Sequence, residues 1–119
     1  MKPTPQMNTV DMISVDDATG DAILHLVVEG PWNDVPERIE WLRTRLNVYS
    51  AFVTTGQLAA AEKYRGRRAK ILVHCEVQPP SQCLLALTSM RQYLIALSIA
   101  FGVTVGRDLK TEVELPEPS

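Results

Sequence analysis

The order of patterns in this chain predicts a two-layer α+β domain: a mainly antiparallel or mixed sheet of about four strands, with two long helices on one face. Two stretches, Val35 to Gly56 and Gln82 to Phe101, repeat apolar residues every three or four positions, as a helix with one buried stripe does. Two others, Ala22 to Glu29 and Ala69 to Val77, alternate with period two, as strands do. Glycines and prolines punctuate the boundaries, giving the order strand, strand, helix, strand, helix, strand. Packing both helices on one face of the sheet is the economical solution, and a crossover between parallel neighbours would have to be right-handed, so a mixed sheet stays open.

The chain begins with Met1 to Thr9, which carries two prolines and no periodic pattern and is expected to be a flexible leader. A single domain is expected over residues 10 to 115. Val10 to Asp16 reads as a strand, D-A-T-G at Asp17 to Gly20 as a turn, and Ala22 to Glu29 as the second arm of a hairpin. In that arm Leu24, Leu26 and Val28 share one face and Ile23, His25 and Val27 the other.

The first helix follows Trp32 and Asn33. Val35, Ile39, Leu42, Leu46, Tyr49 and Val53 form its stripe, bordered by Trp41, Val48 and Phe52, so the buried face is wide enough to lie across a sheet. Asp34 is placed to cap the first turn with Glu37 three residues on, Pro36 sits where its missing N–H costs nothing, and Gly56 marks the stop. Gln57 to Tyr64 reads as a short helical piece and R-G-R-R at Arg65 to Arg68 as a basic turn.

In the next strand Ile71, Val73, Cys75 and Val77 point one way and Lys70, Leu72, His74 and Glu76 the other. Pro79 and Pro80 end it and Ser81 is placed to cap the second helix, whose buried face is read as Cys83, Leu84, Leu87, Met90, Leu94, Leu97 and Phe101, with Gly102 as the stop. Val103 to Val105 and Thr111 to Leu115 are short strand candidates, and the tail from residue 116 is expected to be flexible.

Length and composition narrow the function classes. A chain of 119 residues buries a core without disulfides or metal. With 22% charged residues and a formal net charge of -2, no global basic character favours nucleic acid. Two cysteines are too few for a secreted disulfide framework, and M-K-P-T-P-Q lacks the apolar run of a signal peptide, which predicts a cytoplasmic protein. The apolar segment from Cys83 to Val105 carries Arg91 and Gln92, which favours a buried helix over a membrane span.

Sites of chemistry are sparse. The glycines are scattered at turns, and neither a G-x-S-x-G elbow nor an Asp-rich calcium loop occurs. His25, His74, Cys75 and Cys83 are the residue types of a zinc site, but adjacent strand residues point to opposite faces, so His74 and Cys75 cannot share one ion. No metal or cofactor is expected. Cys83 lies in the first turn of a helix, where the dipole lowers a thiol pKa, but it falls on the buried face, which favours an inert thiol. Arg65, Arg67 and Arg68, following Lys63, form the only basic cluster; without interleaved aromatics a solvated turn is the simpler reading. No catalytic residue is assigned.

Two residues of the first helix exceed its core role: Asn47, a poor helix former opposite the stripe, and Arg45, at the stripe's edge near Tyr49. The run L-R-T-R-L-N-V-Y-S-A-F-V-T-T-G-Q-L at Leu42 to Leu58 resembles a family of small bacterial domains of unknown function with a pattern close to L-x-x-K-x-N-x-Y-x-x-F-x-x-S-G. Leu42, Asn47, Tyr49, Phe52 and Gly56 match it, while Arg45 stands for the lysine and Thr55 for the serine. The resemblance spans Val10 to Val105 and implies a fold and a bacterial origin, with no assigned activity or cofactor.

The second helix presents Leu85, Ala96 and Ile99 opposite its buried stripe, with Ile95 alongside. A helix apolar on both sides is covered by its own chain or by another. The expectation is therefore a non-catalytic protein-association module, homodimeric through that face, of an immunity-like or regulatory kind. The alternative is a small enzyme or ligand binder whose pocket gathers Arg45, Asn47, Tyr49 and Gln57 near the end of the first helix.

Overall fold

The computed structural model describes Val10 and residues 12 to 117; the expected leader at residues 1 to 9 lies outside the described residues. Its elements are β1 (Met12–Val15), β2 (Ala22–Val28), α1 (Val35–Thr54), α2 (Gln57–Ala60), a 3-10 turn at Glu62–Tyr64, β3 (Ala69–Cys75), α3 (Ser81–Ala96) and β4 (Ala100–Val105). The strands lie in the order β1-β2-β3-β4. The hairpin β1-β2 is antiparallel, and the two helical crossovers make β2-β3 and β3-β4 parallel, so the sheet is mixed. Two successive crossovers stepping in the same direction place α1 and α3 on the same face.

The alternation read from sequence selects that face. Leu24, Leu26 and Val28 on β2, Ile71, Val73 and Cys75 on β3 and Phe101 and Val103 on β4 are buried beneath Leu42, Leu46 and Tyr49 of α1 and Leu87, Met90 and Leu94 of α3. Asp34 caps α1, its carboxylate accepting from the Glu37 N–H at 3.2 Å. Gly56, at φ +86°, takes the left-handed turn into α2 that a residue with a Cβ would resist.

The second helix differs from the expectation. It ends at Ala96, not Phe101, because Ser98 adopts φ +64° and closes a Schellman cap: the Ser98 N–H donates to Ile95 O and the Ile99 N–H to Leu94 O, both at 2.9 Å. Ser81 is the first helical residue; Pro80 occupies the cap position and no side chain caps the helix. The chain then runs straight into β4, so Phe101 and Gly102 belong to a strand.

Thr111 to Leu115 is not assigned as a strand, although the Val113 N–H donates to Val103 O at 2.7 Å along the β4 edge. Leu115 is buried, and the Pro116 carbonyl, in the expected tail, accepts from Thr88 Oγ1 at 2.9 Å. Among the described residues no helix is long and apolar enough to cross a membrane. The apolar segment that approached such a length is divided at Ser98 between α3 and β4.

Candidate functional site

The four polar residues expected to line one pocket fall in three separate places, one of them inside the core. Arg45 and Tyr49 are buried, the guanidinium carbon 5.3 Å from the centre of the Tyr49 ring, and the Tyr49 hydroxyl donates to His25 O at 2.9 Å. One turn of α1 is thereby fastened to β2. Asn47 is exposed on the far side of α1, where it joins Arg43, Ser89 and Tyr93 around a groove of about 230 Å³ floored by Leu46, Met90 and Leu94. Gln57 is exposed at the start of α2, its amide donating to Thr55 Oγ1 at 3.3 Å. Residues two apart on a helix face away from each other, which is why Asn47 cannot join Arg45 and Tyr49.

Three of the four expected interface residues are on the surface of α3. Leu85 is 47% exposed and Ile95 57%, and Ala96, the last residue of the helix, is exposed as well. Ile99 is not: it is 1% exposed, because the cap at Ser98 turns the chain and lays Ile99 against Leu94 in the core. Tyr93, which sequence spacing did not single out, is exposed on the same helix, and Leu97, expected on the buried face, is exposed as well because the helix has already ended at Ala96 and Leu97 occupies the cap.

The basic cluster is largely engaged by its own chain. Arg67 donates through Nε to Lys63 O at 3.0 Å and through Nη1 to Gly20 O at 2.9 Å, so it ties the β1-β2 turn to the segment before β3. Arg68 pairs with Asp21 at 3.0 Å, and Arg65 donates to Ala59 O at 3.0 Å. These contacts give the three arginines a structural role.

A different group of side chains stands out on the face of the sheet away from the helices. Ser14 Oγ lies 2.7 Å from His25 Nε2, His25 Nδ1 lies 2.8 Å from His74 Nε2, and His74 Nδ1 lies 2.7 Å from Thr104 Oγ1. One row of hydrogen bonds therefore crosses all four strands. The imidazole planes differ by 12° and their centroids are 5.1 Å apart; a 2.8 Å link between nitrogens accounts for that spacing edge to edge, so the rings are coplanar neighbours, not a stack.

Register explains the meeting. His25 lies opposite Leu72 and Val27 opposite His74, so the two histidines are diagonal neighbours on one face. With both rings neutral, every link can be satisfied in either direction along the row, each ring donating at one nitrogen and accepting at the other. One added proton is tolerated, but two would set N–H against N–H between the rings. Burial lowers the pKa of His25, and burial together with His25 lowers that of His74, so the neutral row is favoured.

Beside the histidines, Met12, Val27 and Leu109 wall an apolar cup of about 350 Å³ that also takes in Glu76 and Gly106. The sequence placed His25 and His74 on strand faces but gave no register, and only the register joins them. The cysteines face the other way: Cys75 and Cys83 are buried, and burial, with Cys83 nearby, pushes the Cys75 thiol up to about 12 while burial raises that of Cys83. Among the described residues no three His, Cys, Asp or Glu side chains are grouped to hold a metal ion.

Comparison with curated proteins and with solved structures returns no match. Residues 3–107 match the model of a family of unknown function, DUF6572, and the chain belongs to that family.

Proposed function

We propose that this protein works by association, as a homodimer through the outer face of α3. The observation that carries the reading is the concentration of apolar surface: Leu85, Tyr93, Ile95 and Leu97, four of the eight large hydrophobic side chains exposed among the described residues, belong to α3 and its cap. Scattered aliphatics are ordinary on any surface, but half of them lie on this one helix and its cap, spread across its solvent side with Leu85 in the middle and Tyr93 and Ile95 on opposite flanks, and a second copy laid over that side would cover them. A regulatory or immunity-like role, in which this face engages another protein, is the wider version of the same reading.

Solution mass by light scattering tests it. The wild type is expected at twice the chain mass, and Leu85→Glu or Ile95→Glu at the monomer mass with an unchanged circular dichroism spectrum. A monomeric wild type would remove the homodimer. Ile99 is unsuitable as a probe, because a carboxylate at that buried position would unfold the chain whether or not it dimerises.

A second reading rests on the groove between α1 and α3, where the exposed Asn47 and Tyr93 stand over the apolar floor of Leu46, Met90 and Leu94. A small ligand with an apolar body and a polar edge suits such a lining. Asn47→Ala would then remove ligand-induced thermal stabilisation without changing the solution mass.

A further inference from the structure

We propose that Ser14, His25 and His74 form a nucleophilic triad that acylates on Ser14, with neutral esters of short apolar acids as substrates. A triad is recognised by roles: a nucleophile hydrogen-bonded to a base, and the base held by a third group. Here the nucleophile and base are 2.7 Å apart, the base and its orienting partner 2.8 Å, and the partner is itself anchored to Thr104 at 2.7 Å.

Burial is graded in the direction that such a device needs. Thr104 is 0% exposed and His74 7%, whereas His25 and Ser14 are part-exposed. The anchored end is locked in the protein and the reacting end reaches solvent. Only one of the two neutral arrangements serves: His74 Nδ1–H donates to Thr104, His25 Nδ1–H donates to His74 Nε2, and His25 Nε2 is left to accept the Ser14 proton. His74 and Thr104 are positioning residues: they act on Ser14 only through His25, although His74 also lines the neighbouring cup.

The step balances with ester and water as the reactants. Ser14 Oγ bonds to the ester carbonyl carbon as its proton passes to His25 Nε2. The carbon to alkoxy bond then breaks and His25 returns the proton to the departing alcohol. Water, deprotonated by the same nitrogen, releases the acid and restores Ser14. The positive charge that His25 carries between these transfers is met by the acceptor nitrogen of His74.

Ser14 does not itself line the cup walled by Met12, Val27 and Leu109; Met12, two residues before it on the same face of β1, and His25 join the two, so the cup is an apolar seat beyond the base for the tail of an acyl group held on Ser14, and Glu76 in its lining disfavours an anionic one. A nucleophile, base and orienting group account for acylation; speed beyond that depends on donors aimed at the developing oxyanion. The primary readout is therefore labelling of Ser14, with turnover second.

The experiment treats the wild-type protein with a fluorophosphonate, which bonds to an activated serine with loss of fluoride, and maps the adduct by peptide mass spectrometry. An adduct on Ser14, absent after Ser14→Ala and after His25→Gln, is the expected result. Hydrolysis of p-nitrophenyl butyrate should fall to the background rate in the same two variants. For His74→Gln, labelling should persist with an altered dependence on pH, since that variant changes the hold on His25 and leaves the nucleophile in place. No adduct on the folded wild type, or an adduct elsewhere than Ser14, overturns the proposal. Mapping on the wild type does not depend on any variant folding, and the outcome is independent of the solution mass that tests the α3 face.

Discussion

The two faces of the one sheet bury comparable strands by different chemistry. Beneath the helices, Leu24, Leu26, Ile71, Val73 and Val103 are 0 to 1% exposed and belong to one hydrophobic cluster with Tyr49 and the apolar side chains of both helices. On the opposite face the same four strands display Ser14, His25, His74 and Thr104 joined in a row, with Ile23 and Leu72 buried between them and Met12 and Val27 half exposed. The helical face is held mainly by area removed from water, which is non-directional, and the polar groups buried with it, such as Thr88 and the Tyr49 hydroxyl, are hydrogen-bonded to backbone carbonyls. The outer face is held by directional links, each of which needs its partner. A face of the second kind can afford chemistry; one of the first kind cannot.

The largest expected effect comes from testing the faces on one strand. Leu24→Ala should cost about 2 to 5 kcal/mol in denaturant unfolding, because it opens a cavity in a dry core. Val27→Ala, three residues on and 47% exposed, should cost within roughly 0.5 kcal/mol. Equal costs would mean that the outer face is as tightly packed as the core, and the comparison would fail.

Next in size is Thr104→Val, which keeps shape but strips the hydroxyl from a site that is 0% exposed. His74 Nδ1 then loses its partner at 2.7 Å, and stability should fall by about 1 to 3 kcal/mol, the cost of an unsatisfied buried polar group. A neutral outcome would show that the anchored end of the row contributes nothing.

The faces should also part on acidification. The folded protein holds His25 and His74 below the ordinary value of 6.5, so the unfolded chain takes up protons first. Their contribution to stability is therefore complete above about pH 6.5 and is lost as pH falls through the depressed folded values. Chemical denaturation at a series of pH values should show this decline, and His25→Gln combined with His74→Gln should flatten it. A slope unchanged in the double variant would assign the acid sensitivity to carboxylates such as Asp16 and Asp108, whose pKa values are lowered by backbone N–H donors.

What sequence could show of this molecule divides along the same line. Period-two alternation assigned Leu24, Leu26 and Val28 to one face and His25 to the other, and helical spacing placed Leu42, Leu46 and Tyr49 over the core. Those are local patterns, repeated within one element. The row from Ser14 to Thr104 depends on strand order and on a diagonal offset between β2 and β3, neither of which is encoded in any one segment. Ile99 was misplaced for a similar reason. A helix stop at Gly102 is the ordinary signal, whereas the actual stop uses serine in a left-handed conformation that serine seldom adopts, so the last apolar residues read as helix. The pocket expected around Arg45, Asn47, Tyr49 and Gln57 failed on helix geometry that spacing alone could have tested.

The smallest effect probes whether the outer face is as replaceable as its open packing suggests. A Cβ on Gly102 would clash with Glu112 Oε1, the far end of a flexible side chain that reaches Lys70 Nζ at 2.6 Å. The Glu112 side chain is 41% exposed and that of Lys70 21%, so the pair is worth about 0.2 to 1 kcal/mol after screening. Gly102→Ala should move Glu112 aside and forfeit that amount, against a gain of roughly 0.5 to 1 kcal/mol from a less flexible unfolded chain. The net change is near zero. Placed on a Glu112→Ala background the clash is gone and the same substitution should stabilise the protein, so the sign of the coupling is the measurement. Were Gly102→Ala to cost several kcal/mol on both backgrounds, the β4 edge would be packed like the core, and the division between a dry face and an adaptable one would not extend to this strand.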